Sequence, residues 1–334
     1  ITFAYQLHLP PTNSLEKERY GDIRLLLSRA YQTLPVGTII LKQDTYFKKK
    51  YTGCEGNQPF LLQKYSEHFE GREYMDFQSY LYFCMPHKAR RDISAKESSL
   101  CSKFINKGKT SPEAIRSFRQ QVEQAVAIIC ADSSILGASK LSASECDSLI
   151  ASIVNFSYQE ETLINDIQAS SDSYIIGNRN IYNLSLSSLN DMPNSYEENV
   201  KDYDLSTDNT TLYGSVLSQI GFNIQSNHIV NQFIKITDSR KLETVMATNA
   251  QFMLSFSSIS TENSLNHENI ISYLKDDSRR QNPTIKYSLQ VLVEGDDHIN
   301  SIVAIMLRQG IRLRHNTYDA SIPMWASMSP DSST

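Results

Sequence analysis

Residues 285–293 place Ile285, Tyr287, Leu289, Val291 and Val293 at every second position, so that one row of large apolar side chains lies along one side of an extended strand. Such a strand is stable only within a sheet. Immediately after it the period changes. Ile299, Ile302, Val303 and Met306 recur at three and four residues, which defines one helical face, with Asp296/Asp297 placed to cap that helix and Gly310 to end it. A short strand at 311–315 completes a β-α-β unit. Upstream, 228–236 and 251–257 read as strands and 266–275 as a helix.

The first half alternates in the same way. Residues 2–9 form a strand closed by Pro10-Pro11, and Ile23, Leu26, Leu27, Ala30, Tyr31 and Leu34 then make one apolar helical face that Pro35 and Gly37 stop. Strands follow at 38–42 and 79–85. Thr110-Ser111-Pro112-Glu113 offers a cap, a first-turn proline and a capping-box glutamate to a helix carrying Ile115, Phe118, Val122, Ala125, Val126 and Ile129. A further helix starts at Ser142 or Ser144, with Leu149, Ile150, Ile153 and Val154 facing inward. The expected fold is α+β: ferredoxin-like, mostly antiparallel sheets packed with helices, in two lobes. Residues 1–190 form the N-terminal lobe and 213–334 the second. Between them, 191–212 is an acidic, Ser/Asn-rich linker within a polar stretch whose one strand-like piece is 181–186.

Charge is unevenly spread. Residues 86–119 hold nine Lys/Arg against three Asp/Glu, whereas 165–230 hold two against eight. Lys88, Arg90, Arg91, Lys96, Lys103, Lys107 and Lys109 fall mostly in a connection, which makes them the candidate docking surface, for an anionic membrane face among other partners. No run approaches the roughly 18 apolar residues of a membrane span. The five cysteines are irregularly spaced with no C-x-x-C, which fits neither a zinc site nor a disulfide framework and suits a reducing cytoplasm.

Catalytic, cofactor-binding and metal-binding signatures are not found. Gly108-Lys109-Thr110 has the tail of a phosphate loop, but Lys103 stands where the first glycine is needed. His267-Glu268 lacks a second histidine, Glu160-Glu161 and Asp276-Asp277 with Arg279-Arg280 read as solvated helix surface, and His228 as a satisfied core histidine. Tyrosines near Lys42, Lys48, Lys49 and Lys50 invite a single-strand nucleic-acid reading, which the pI near 5.8 opposes.

The run Leu34-Pro35-Val36-Gly37-Thr38-Ile39-Ile40-Leu41-Lys42-Gln43-Asp44-Thr45-Tyr46-Phe47, with Tyr51 beyond it, resembles the start of TraG-type conjugation ATPases, where an LP-x-x-[TS]-[IV]-x-x-KQD-x-[FY]-[FI] segment follows the first helix. Asn227-His228-Ile229-Val230-Asn231-Gln232 looks like that family's NHI-[YV]-NQ strand, and Trp325-Ala326-Ser327-Met328-Ser329-Pro330 resembles the segment before its motor domain. There the family usually has Pro-Gly-Asn, whereas Asp331 and Ser332 follow Pro330 here. The resemblance implies the N-terminal assembly domain of a type IV secretion ATPase at the cytoplasmic face of a bacterial inner membrane. Its partners would be channel subunits and neighbouring protomers. ATP and Mg would belong to a C-terminal motor domain outside this chain, so the chain is expected to carry no cofactor and to be inactive alone. Two readings compete: a self-contained nucleic-acid-binding protein of a mobile element, and an unrecognised enzyme.

Overall fold

A computed structural model describes residues 1–11, 15–53, 59–85, 111–132, 135–158, 165–188, 191–193, 199–203, 206–256, 260–275 and 284–317. Its first strands and helices run β1 (Thr2–His8), α1 (Lys17–Gln32), β2 (Ile39–Lys50), α2 (Phe60–Phe69), β3 (Glu73–Cys84), α3 (Pro112–Ile129) and β4 (Gly137–Lys140). The sheet order β4-β1-β3-β2, with every neighbour antiparallel, is the arrangement of a ferredoxin-like split β-α-β pair. Both long helices lie on one face. Phe118, Val122, Ala125 and Ile129 of α3 pack with Ala30 and Tyr31 of α1 onto Tyr5, Leu7, Leu81 and Phe83. The cap of α3 is Ser111, whose hydroxyl accepts from the Ala114 amide, so Glu113 stands too close to the cap to form the expected capping box.

α4 (Ala143–Asn155) starts at Ser142 with a full capping box to Glu145, and lays Leu149, Ile153 and Val154 against the opposite sheet face. A small meander follows, of β5 (Ile167–Ala169), β6 (Ser173–Ile176) and β7 (Arg179–Ser185). Gly177, at φ 57°, makes the tight turn that sets Ile176 opposite Arg179. The chain continues through β8 (Val200–Asp202), β9 (Leu212–Gly214), α5 (Ser218–Asn223), β10 (His228–Ile236), α6 (Ser239–Ser255), α7 (Thr261–Lys275), β11 (Ile285–Glu294), α8 (Ile299–Arg308) and β12 (Arg314–His315). Its strands β12, β7, β11 and β10 neighbour one another in that order, all antiparallel.

The second unit therefore repeats the first. β7, β10, β11 and β12 occupy the places of β1, β2, β3 and β4. α5 and α8 supply Ile220, Ile224, Ile302, Ile305 and Met306 to a core on Leu184, Val230, Leu289, Val291 and Val293. The two units join through their equivalent second strands, with His228 beside Tyr46 and Lys235 beside Ile39, so one ten-stranded sheet runs through the molecule. The mixed α+β class and the antiparallel sheet agree with the sequence.

Other details differ from expectation. The two halves share this sheet, and the junction between units falls after β4 and before β7. The described residues of the acidic stretch 191–212 therefore belong to the second unit, in its β7-to-β10 connection. Residues 165–186 carry three strands of the sheet: the strand-like piece expected at 181–186 falls in β7, whereas β5 and β6 are too short to show a period. Residues 251–255 are the end of a helix and not a strand, because Leu242, Met246, Ala250 and Met253 continue one helical face. His298 takes the cap position of α8, without a side-chain bond, in place of Asp296/Asp297. Gly310 does end that helix, at φ 76°.

Candidate functional site

Side chains on one face of β2 and β10 meet along the seam between units. Asn231 lies directly between Gln43 of β2 and Gln290 of β11. The Tyr82 hydroxyl donates to Gln43 Oε1 at 2.9 Å, Gln43 Nε2 donates to Asn231 Oδ1 at 2.9 Å, and Asn231 Nδ2 donates to Gln290 Oε1 at 3.0 Å. All four side chains are buried. A chain of neutral amides across four strands, closed by a phenol, satisfies polar groups that would otherwise cost free energy in the core. It also fixes register, because slipping β10 by one residue would turn Asn231 to the other face.

The opposite face of the same strands carries charge and aromatic stacking. Asp44 accepts from the Ser79 hydroxyl at 2.6 Å and is paired with Lys42. The Tyr46 ring lies parallel to the His228 imidazole, with centroids 4.4 Å apart, and tilts against Phe77 at 4.9 Å. His228 Nδ1 bonds the Ser226 carbonyl at 2.8 Å, whereas Nε2 has no hydrogen-bond partner among the described residues. Burial, with a smaller contribution from nearby His298 and against the bond to the Ser226 carbonyl, pushes the His228 imidazole down to about 4. The ring is thus neutral at ordinary pH, and only half of the expected satisfied core histidine is realised. Gly221 on α5 approaches the Tyr46 ring so closely that an added Cβ would stand 2.5 Å from it.

At the end of the seam where β2 runs past β10, a cavity of about 440 Å³ opens among Lys48, Lys50, Glu73, Arg179, Asn227, Glu294 and Asp297. Asn227 organises it. Its Oδ1 accepts from the Lys48 amide at 2.7 Å and its Nδ2 donates to Glu294 at 2.7 Å. Arg179 lies 3.6 Å from Glu294 and donates to the Phe156 carbonyl at 2.8 Å, which caps the C-terminal end of α4. Mixed charge and internal pairing make this a structural clasp between the units more than a site for one strongly charged ligand.

The docking residues singled out from sequence, Lys88, Arg90, Arg91, Lys96, Lys103, Lys107 and Lys109, lie outside the described residues. So do Gly108, Glu160-Glu161 and Arg279-Arg280. His267 is within them, and its Nδ1 bonds the Ala250 carbonyl at 2.9 Å, which pins α7 to α6. Among the described residues no group of three or more metal-ligating side chains gathers, and no helix is long and apolar enough to cross a membrane. The chemistry-bearing residue that the sequence reading passed over is Arg179, which only the β7–α4 packing reveals. No family model matches the chain, and comparison with curated proteins gives no match.

Proposed function

We propose that this chain is the assembly and docking part of a conjugative-transfer ATPase of the TraG type, which binds channel subunits of a type IV secretion system and neighbouring protomers at the cytoplasmic face of the membrane. One observation carries the reading. The two stretches with which the sequence resembles that family, Lys42-Gln43-Asp44 and Asn227 to Gln232, are far apart in the chain yet lie side by side at the seam, with Gln43 bonded to Asn231 and the Lys48 amide to Asn227. Motifs with no catalytic residue then have a physical purpose: they hold two ferredoxin-like units as one rigid plate. A plate of this kind presents fixed surfaces to partners, and ATP turnover belongs to a motor domain joined to it.

Overproduction of the chain in donor cells that carry the parent mobile element tests this. A docking part without its motor competes for the channel and lowers transfer frequency. Unchanged transfer, with the folded chain abundant in the cell, would count against the reading.

A further inference from the structure

The seam ends before β2 does. β10 begins at His228, opposite Tyr46, whereas β2 runs on through Lys48, Lys49 and Lys50, which pair with Met75, Tyr74 and Glu73 of β3. In an antiparallel ladder, successive residues turn their amide and carbonyl to opposite sides. The Tyr51 amide donates to the Arg72 carbonyl at 2.9 Å, on the β3 side, and the Lys48 amide to Asn227 Oδ1, on the other. The Lys48 carbonyl and both main-chain groups of Lys50 therefore face away from β3, along an edge that β10 leaves open. Lys48 and Lys50 line the cavity at the end of the seam.

The chain that leads into β10 does not fill this edge. The Ile224 amide bonds the Ile220 carbonyl at the end of α5, and Ile224 is buried in the core beneath that helix, so the chain reaches Asn227 from the helix layer and not along β2. The Asn227 side chain stands in for a strand only at the Lys48 amide. Because β2 and β11 both pair with β10, they stand two strand spacings apart at the mouth, roughly 9–10 Å. The slot is one strand wide. Gly295, at φ 81°, turns the chain out of β11, and with Asp297 and His298 it makes the far wall.

Charge on the β2 side is cationic. Lys48, Lys49 and Lys50 are all exposed; Lys49 lies 3.9 Å from Asp76, whereas Lys48 and Lys50 have no ion-pair partner among the described residues. Their side chains leave the same face of β2, two residues apart. On the far wall Glu294 is engaged by Arg179 and Asn227. With both signs around the cavity, an occupant is selected first by its main chain.

We propose that this edge takes an extended segment of a partner polypeptide, added to β2 as a strand in line with β10, with an acidic side chain opposite Lys48 or Lys50. The segment bonds the Lys48 carbonyl and the Lys50 amide and carbonyl, and so continues the pairing that β2 already makes with β10 from Ile39 to Tyr46. The inference goes beyond the proposed function, since it gives the form of the partner segment and not its owner, and it rests on the open strand edge and not on the resemblance.

Nuclear magnetic resonance of the isotope-labelled full chain, titrated with a blocked hexapeptide of alternating valine and glutamate, tests it. At millimolar peptide the Lys48 and Lys50 amide signals shift saturably, and the Lys50 amide exchanges more slowly with solvent. The same peptide with lysine for glutamate binds at least about tenfold more weakly, and Lys48→Glu with Lys50→Glu reverses that preference. Lys50→Pro removes the edge donor at a position where proline is tolerated and weakens binding by at least about fivefold. Its thermal melt stays that of the wild type; should that variant fail to fold, the charge reversal decides alone. Absence of any shift at Lys48 and Lys50, equal binding of the two peptides, or undiminished binding by folded Lys50→Pro overturns the inference. Peptide binding without inhibition of transfer in donor cells would remove the functional reading and leave this one standing; inhibition without peptide binding would do the reverse.

Discussion

Replacing Asn231 with alanine removes the central link of the seam. The Asn231 amide accepts from Gln43 at 2.9 Å and donates to Gln290 at 3.0 Å, in a position with no solvent exposure. Alanine therefore costs two buried amides one partner each, and water cannot readily replace them. At about 1–3 kcal/mol for each buried group that loses its bond, the loss is about 3 kcal/mol, a large share of a typical folding free energy. Urea unfolding followed by circular dichroism gives this as a lower midpoint at unchanged slope. A cycle with Gln43→Ala then isolates the contact. Because each variant already breaks the same bond, the double variant should be less destabilised than the sum by about 1–2 kcal/mol. An Asn231→Ala loss within about 0.5 kcal/mol, or strict additivity in the cycle, would refute the view that this row of amides joins the units.

Gly221→Ala should destabilise by about 1–3 kcal/mol in thermal melts, because the added methyl meets a Tyr46 ring already held by His228 and Phe77; a neutral effect would mean that α5 shifts freely. His228 has a folded-state value of about 4 against an ordinary 6.5, so its neutral form is the buried one. Unfolding takes up a proton below the ordinary value, and stability from this residue is lost as pH falls from about 6.5 to about 4, by about 3 kcal/mol in all. His228→Phe keeps a ring on Tyr46 and should flatten that part of the stability–pH curve relative to wild type; identical slopes would contradict the assignment. Isothermal titration of the chain with Mg-ATP should show no micromolar binding, given Lys103 in place of the first phosphate-loop glycine, and such binding abolished by Lys109→Ala would overturn it.

The parts of the fold that were legible in the sequence are those where an apolar period runs long. The Ile285–Val293 strand, the α3 stripe from Ile115 to Ile129 and the Gly310 stop all survive in the structure, because each is set by the local period or by a backbone conformation that favours glycine. The seam was half legible. Gln43, Asn227 and Asn231 stand in stretches noted for their resemblance, yet only antiparallel pairing between residues 188 apart in sequence makes Gln43 and Asn231 partners. Polar residues in a continuous apolar strand were the available signal, since such groups are kept in a core only when bonded. Of the meander at 167–185 only the piece at 181–186, which falls in β7, was legible; β5 and β6 were hidden for the opposite reason, because strands of three or four residues take their stability from neighbours. The repeat escaped notice because its units share topology and not spacing. The first places one described helix, α2, between its second and third strands, and the second places two, α6 and α7.

The central claim, that the chain docks a conjugation ATPase on its channel, is tested most directly by binding. The chain is passed over the small membrane subunits of the parent element's secretion channel, held in lipid nanodiscs, with empty nanodiscs as the reference. The account predicts saturable binding to the loaded discs that is absent from empty ones and unchanged by Mg-ATP. Equal signals on loaded and empty discs, or none on either with the chain folded, would contradict it.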